Sequence, residues 1–136
     1  MLFAKTILAF SGLAAIAQAG STYSCQSCHP GTSSDCVAAF NLIPTTGTLS
    51  SSKDQQWTSG DCTIEWITNG VSVEAADFHG EAQALVNKCC EGSSSTCSGV
   101  AYNTGSTNNL EGGCVCMHSS STSPCICEGT PSLDCI

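Results

Sequence analysis

Twelve cysteines in 136 residues constrain this chain more than any other feature. They stand at Cys25, Cys28, Cys36, Cys62, Cys89, Cys90, Cys97, Cys114, Cys116, Cys125, Cys127 and Cys135. An even count at this density reads as a disulfide framework, with six bridges and no thiol left over, formed in an oxidising compartment. Each bridge restricts the unfolded chain and contributes about 2–4 kcal/mol, although not additively. A chain this short buries a modest core, so its folding is expected to depend on oxidation. Twelve cysteines permit roughly ten thousand pairings, so spacing does not reveal the connectivity.

The first cysteine follows a segment that reads as processing rather than fold. Residues 1–19 run MLFAKTILAFSGLAAIAQA: Lys5 near the start, an apolar stretch from Ile7 to Ala17, and Ala17-Gln18-Ala19 as a cleavage site. That is the layout of a signal peptide, and the stretch is too short to span a bilayer. The competing reading is a buried N-terminal helix. Cleavage after Ala19 leaves 117 residues carrying all twelve cysteines, and the expected localisation is secreted and extracellular. The expected organisation is a signal peptide at 1–19, a disulfide-stapled α+β domain at 20–110 and a cysteine-rich C-terminal extension at 111–136.

Charge narrows the partners. Three lysines and no arginine face eleven acids, a formal charge of −8. Gripping nucleic acid requires clustered cations to neutralise phosphates, so a nucleic-acid partner is excluded on this balance. Binding to an anionic membrane by charge fails for the same reason, and no segment after residue 19 is long and apolar enough to be a transmembrane anchor.

Along the remaining chain, the run SSDCVAAFNLIP predicts a helix capped by Ser34 or Asp35, with Cys36, Val37, Phe40 and Ile43 inward and Pro44 as its stop. Residues Thr45 to Ser59 read as a Ser/Thr-rich loop holding Lys53, Asp54 and Trp57. From Cys62 the period becomes two: Cys62, Ile64 and Trp66 on one face, Thr63, Glu65 and Ile67 on the other. Asn69-Gly70 is a strong hairpin signal that would place Val73 opposite Trp66; the alternative is a strand that leads out into the next helix. That helix carries Phe78, Ala82, Leu85, Val86 and Cys89 at helical spacing, begins at Glu74 or Asp77 and ends at Gly92. Cys97 to Thr104 resembles a strand with Val100 and Tyr102 on one face. Thr104 to Gly113 is a polar loop, and the pairs Cys114/Cys116 and Cys125/Cys127 suggest a small stapled hairpin.

Each chemistry-bearing motif has a plainer explanation beside it. Cys25-Gln26-Ser27-Cys28-His29 matches the C-x-x-C-H pattern of c-type haem attachment, with Met117 as a second axial ligand. The two C-x-C pairs with His118 could hold Cu(I) or Zn. In a chain full of cysteines both read better as disulfides, so neither a cofactor nor a metal is expected. Glu74, Asp77, His79 and Glu81 gather near one helix start and could be drawn as the acid–base site of a small hydrolase. Acids at a helix N-terminus are expected for dipole reasons alone, so no catalytic residue is assigned. Of Trp57, Trp66 and Tyr102, which could stack on a sugar, Trp66 fits the core and Trp57 is the candidate binding residue.

Ser34-Asp35-Cys36 opening a helix, Trp57 with Gly60-Asp61-Cys62 entering a strand, Leu85-Val86-Asn87-Lys88-Cys89 ending a helix, and Cys97 with Val100-Ala101-Tyr102 together resemble a known pattern. It is similar to the fungal necrosis-inducing secreted effectors, small cysteine-rich proteins, and more distantly to killer-toxin-like α/β sandwiches. The resemblance covers Ser33 to Thr104, about half the chain; the segment from Cys114 to Cys135 departs from it. It implies an α+β sandwich in which a few-stranded antiparallel sheet carries two helices on one face. It carries over no catalytic residues. The expectation is a secreted effector or toxin-like protein, not an enzyme, that binds an extracellular protein or cell-wall component of a host or competitor. Its contact surface would lie on the loops Thr45 to Ser59 and Thr104 to Gly113.

Overall fold

The computed structural model describes residues 21–50, 52, 54–68, 70–91, 95–103, 113–119, 122–128 and 130–135. In chain order the elements are β1 (Ser21–Cys25), β2 (Gly31–Thr32), α1 (Ser33–Phe40), β3 (Thr48–Leu49), β4 (Gln55–Ser59), β5 (Cys62–Ile67) and β6 (Val73–Glu74). They continue with α2 (Ala75–Cys90), β7 (Thr96–Cys97), β8 (Gly99–Asn103), β9 (Cys114–His118), β10 (Cys125–Ile126) and β11 (Ser132–Leu133). Five strands form an antiparallel sheet in the order β1-β8-β9-β5-β4, and three two-stranded ladders, β2–β7, β3–β6 and β10–β11, brace its surroundings.

Period-two alternation divides the sheet between two cores. Cys62, Ile64 and Trp66 of β5, Val115 and Met117 of β9 and Ala101 of β8 share one cluster with Cys36, Ala39 and Phe40 of α1 and Phe78, Ala82, Leu85 and Val86 of α2. The opposite parity, Ile67, Val100, Tyr102, Cys114 and Cys116, packs against Leu133, Cys125 and Cys127 of the C-terminal segment. Two helices therefore cover one face and the C-terminal ladder covers the other. The cysteine-rich segment that begins at Cys114 supplies β9, the central strand, which pairs with both β8 and β5.

The six disulfides follow the same division. Cys25–Cys89, Cys36–Cys62 and Cys90–Cys97 tie the helices to their surroundings, while Cys28–Cys135, Cys114–Cys127 and Cys116–Cys125 fasten the C-terminal segment. The two C-x-C pairs each present both sulfurs on one side and bond crosswise, although β10 forms its ladder with β11 rather than with β9.

The helix starts lack side-chain caps, so backbone groups take the orphan donors. The Ser33 N–H donates to the Ser95 carbonyl at 2.8 Å, and Ala75 N–H to the Gly47 carbonyl at 2.8 Å.

Three local expectations are corrected. Val37 points outward, 44% exposed, and Ala39 takes the inner place. The region 45–59 is not all loop, since it contains β3 and β4. The tight hairpin lies at Gly60-Asp61, joining β4 to β5 with Ser59 opposite Cys62. At Gly70 the chain instead leads through β6, which pairs with β3, into α2, because the place beside Trp66 is filled by Val115 of β9.

Candidate functional site

The Gly60-Asp61 turn fixes the outer end of β4. Gly60 adopts φ +54°, a conformation that L side chains rarely enter, and a Cβ there would lie 2.2 Å from Asp35 Oδ2. With glycine at the first turn position and no positive φ at Asp61, this is the II′ geometry suited to a two-residue hairpin. Asp61 N–H donates to Asp35 Oδ2 at 3.1 Å, and the Asp61 carboxylate accepts from Thr32 N–H at 2.7 Å and from the Thr32 hydroxyl at 2.8 Å. The Thr32 amide, followed by its hydroxyl, holds the Asp61 carboxyl below its ordinary 3.8.

A buried polar cluster lies across the middle of the sheet, under the C-terminal segment. Glu65 on β5 is 3% exposed and His118 on β9 is fully buried. The carboxylate meets His118 Nε2 at 3.3 Å, Gln56 Nε2 of β4 at 2.8 Å and the Ser123 hydroxyl. Burial acts to raise the Glu65 pKa, but these three donors outweigh it and the net direction is below 4.5. His118 Nδ1 has no hydrogen-bond partner among the described residues. A carboxylate held ionised by three donors is a poor proton acceptor, and what it accomplishes here is to cross-brace β4, β5, β9 and the C-terminal segment.

A second internal polar contact joins helix and sheet. Glu81 of α2 is fully buried and accepts from the Tyr23 hydroxyl of β1 at 2.5 Å, while Lys88 Nζ donates to the Tyr23 carbonyl at 2.8 Å.

The motif residues are dispersed. Cys25 and Cys28 bond Cys89 and Cys135 respectively, so neither sulfur is free to attach a haem, and His29 Nε2 lies 2.6 Å from the Asp134 carbonyl. Sulfurs of Cys36, Cys90 and Cys97, and of Cys114, Cys125 and Cys127, lie within 4.8 Å of one another, but all six belong to disulfides and no free cysteine remains. Oxidised sulfur lacks the thiolate charge that binds soft metals. In the acidic group, Glu74 and Asp77 are exposed, His79 stacks on Phe40 with centroids 4.4 Å apart, and Glu81 points into the core, so the helix sends these groups to different faces.

Trp66 is fully buried, as its strand parity implies. Trp57 sits on β4 and is half-buried, with its ring centroid 5.2 Å from Phe78 and its flank at the sheet margin. Tyr102 is half-buried on the opposite face. Residues 1–20, Lys53, Asn69, Gly92 (the expected end of the second helix) and the loop segment 104–112 lie outside the described residues.

Sequence reasoning missed the Glu65–His118–Ser123 cluster. The signal was present in parity: Glu65 opposes Ile64 and Trp66, and His118 shares a face with Cys114 and Cys116, which the C-terminal bridges cover. No helix among the described residues is long and apolar enough to cross a membrane. Neither known protein families, nor curated proteins, nor solved structures give a match to this chain.

Proposed function

We propose that this is a secreted, cysteine-rich effector or toxin-like protein of fungal type that acts outside the cell by binding, not by turnover. Its partner is an extracellular protein or cell-wall component of a host or competitor. One observation carries the reading: all twelve cysteines are paired, three bridges on each side of the sheet. A surface held this rigidly loses little conformational entropy on binding, and its backbone resists extracellular proteases. The Cys25/Cys28 pair, the C-x-C pairs and the His79 group, which would support a haem, metal or hydrolase reading, are committed to bridges or separate faces.

The test is binding of labelled native protein to isolated cell walls and surface proteins of plant tissue and of competing microbes. Saturable binding that is lost after full reduction and alkylation is the expected result. Binding that persists after complete reduction would refute the role given to the scaffold, and unchanged binding accompanied by hydrolysis that His79→Ala abolishes would refute the non-catalytic reading.

A further inference from the structure

The sheet has two margins, and they are treated differently. At β1, Lys88 Nζ occupies the Tyr23 carbonyl and Cys25 is bridged to α2, so charge and a covalent tie guard that edge. β4, at the other margin, reads Gln-Gln-Trp-Thr-Ser with no charge and no proline. Its backbone polarity follows from the hairpin. A two-residue turn makes Ser59 and Cys62 a hydrogen-bonded pair, and alternation extends this to Trp57 and Gln55. The N–H and C=O groups of Gln56 and Thr58 then point away from β5. No backbone bond outside the strand ladders reaches β4 among the described residues, and both side chains are exposed.

Carboxylates stand at both ends of this edge: Asp54 before the strand, and Asp61 with Asp35 at the turn. Lys53 offsets one of these charges in sequence, and the chain as a whole remains strongly acidic. Antiparallel self-pairing centred on Trp57 would set Asp54 of one copy against Gly60 of the other and, in sequence register, Lys53 against Asp61, so the strand ends alone do not exclude it. What opposes it is the repulsion between two copies of a chain with a formal charge of −8. An extended cationic partner meets no such conflict.

We infer that β4 is a docking edge for an extended, cationic peptide segment of a partner protein, which adds as a sixth strand through the Gln56 and Thr58 backbone groups. Basic side chains spaced roughly seven residues apart, roughly 24 Å of strand, meet the carboxylates at the two ends. The inference rests on the binding reading above and specifies its surface.

The probe is a blocked octapeptide of three Thr-Val repeats with one lysine at each end, compared with its glutamate-flanked counterpart, in NMR titration and amide hydrogen exchange on the oxidised protein. The lysine peptide is expected to slow exchange at Gln56 and Thr58 several-fold without protecting β1, and to bind about tenfold more tightly than the glutamate peptide at low salt. Thr58→Pro, which removes one outward N–H, and Thr58→Lys, which places a cation on the edge, are both expected to abolish that protection; if Thr58→Pro fails to fold, Thr58→Lys decides. Protection at β1 instead, equal binding of both peptides, no protection at millimolar peptide, or protection of the same amides by self-association would overturn the inference. Cell-surface binding separates the two claims: parent and Thr58→Lys binding equally well removes the edge but leaves the binding function, whereas a parent that binds no surface removes the function while peptide protection still judges the edge.

Discussion

Replacing Gly60 with alanine tests the physical account of the turn that ends β4. Two costs arise. An L residue at φ +54° loses about 1–2 kcal/mol relative to glycine. The new Cβ, 2.2 Å from Asp35 Oδ2, also drives that carboxylate away and breaks its bond from the Asp61 N–H. That loss adds about 1–2 kcal/mol for a charge-assisted bond at a partly solvated site. The sum is about 2–4 kcal/mol. Guanidinium unfolding with the disulfides intact, followed by Trp57 and Trp66 fluorescence, measures it as a shift in midpoint at constant slope. The Asp35→Ala background isolates the second cost: with no carboxylate to displace, Gly60→Ala should lose only the conformational part, a coupling of about 1–2 kcal/mol. A Gly60→Ala variant within about 0.5 kcal/mol of the parent, or an equal loss in both backgrounds, would refute the reasoning.

Acid unfolding should show the Glu65 brace. Its carboxyl is lower in the folded protein than the ordinary 4.5, so its contribution is complete above that value and disappears as pH falls through the lowered folded value. Glu65→Gln should flatten this part of the stability–pH curve. Phe78→Ala, which empties a fully buried site beside Trp57 and Trp66, should cost about 3–5 kcal/mol by the same unfolding assay and disturb the fluorescence of both indoles. Removing the Cys28–Cys135 bridge by paired alanine substitution should cost about 3–5 kcal/mol, towards the lower end because other bridges shorten its 107-residue loop. Limited proteolysis of that variant should cut first in the C-terminal segment.

Where a residue's periodicity carried its burial, the sequence was readable. The split of Cys62, Ile64 and Trp66 from Thr63, Glu65 and Ile67 matches the two cores, and Phe78, Ala82, Leu85 and Val86 form the inward stripe of α2. Glu81 falls on that same stripe, three residues after Phe78, so its burial was legible in spacing although its charge argued otherwise. Its partner, the Tyr23 hydroxyl, is 58 residues away and leaves no local trace. β4 went unread because an edge strand with one polar face has little apolar alternation to declare it. Asn69-Gly70 misled for a different reason: local turn chemistry offered a hairpin, but β9, far along the chain, supplies the strand beside β5. The candidate edge depends on which strand ends up outermost, and strand order is a property of long-range pairing.

The central position of β9 governs the order in which the protein can be made. Synthesis runs from the N-terminus, and until residue 118 has emerged the strand that joins β8 to β5 is missing, so the five-stranded sheet cannot be completed. All three helix-side bridges draw on cysteines no later than Cys97, so they are able to close on the incomplete chain. Of the first seven cysteines, Cys28 alone has no partner at that stage. Its partner Cys135 lies 107 residues further along, beyond every strand of the five-stranded sheet. A reactive Cys28 thiol is therefore a chemical marker of a molecule whose C-terminal segment is not yet fastened.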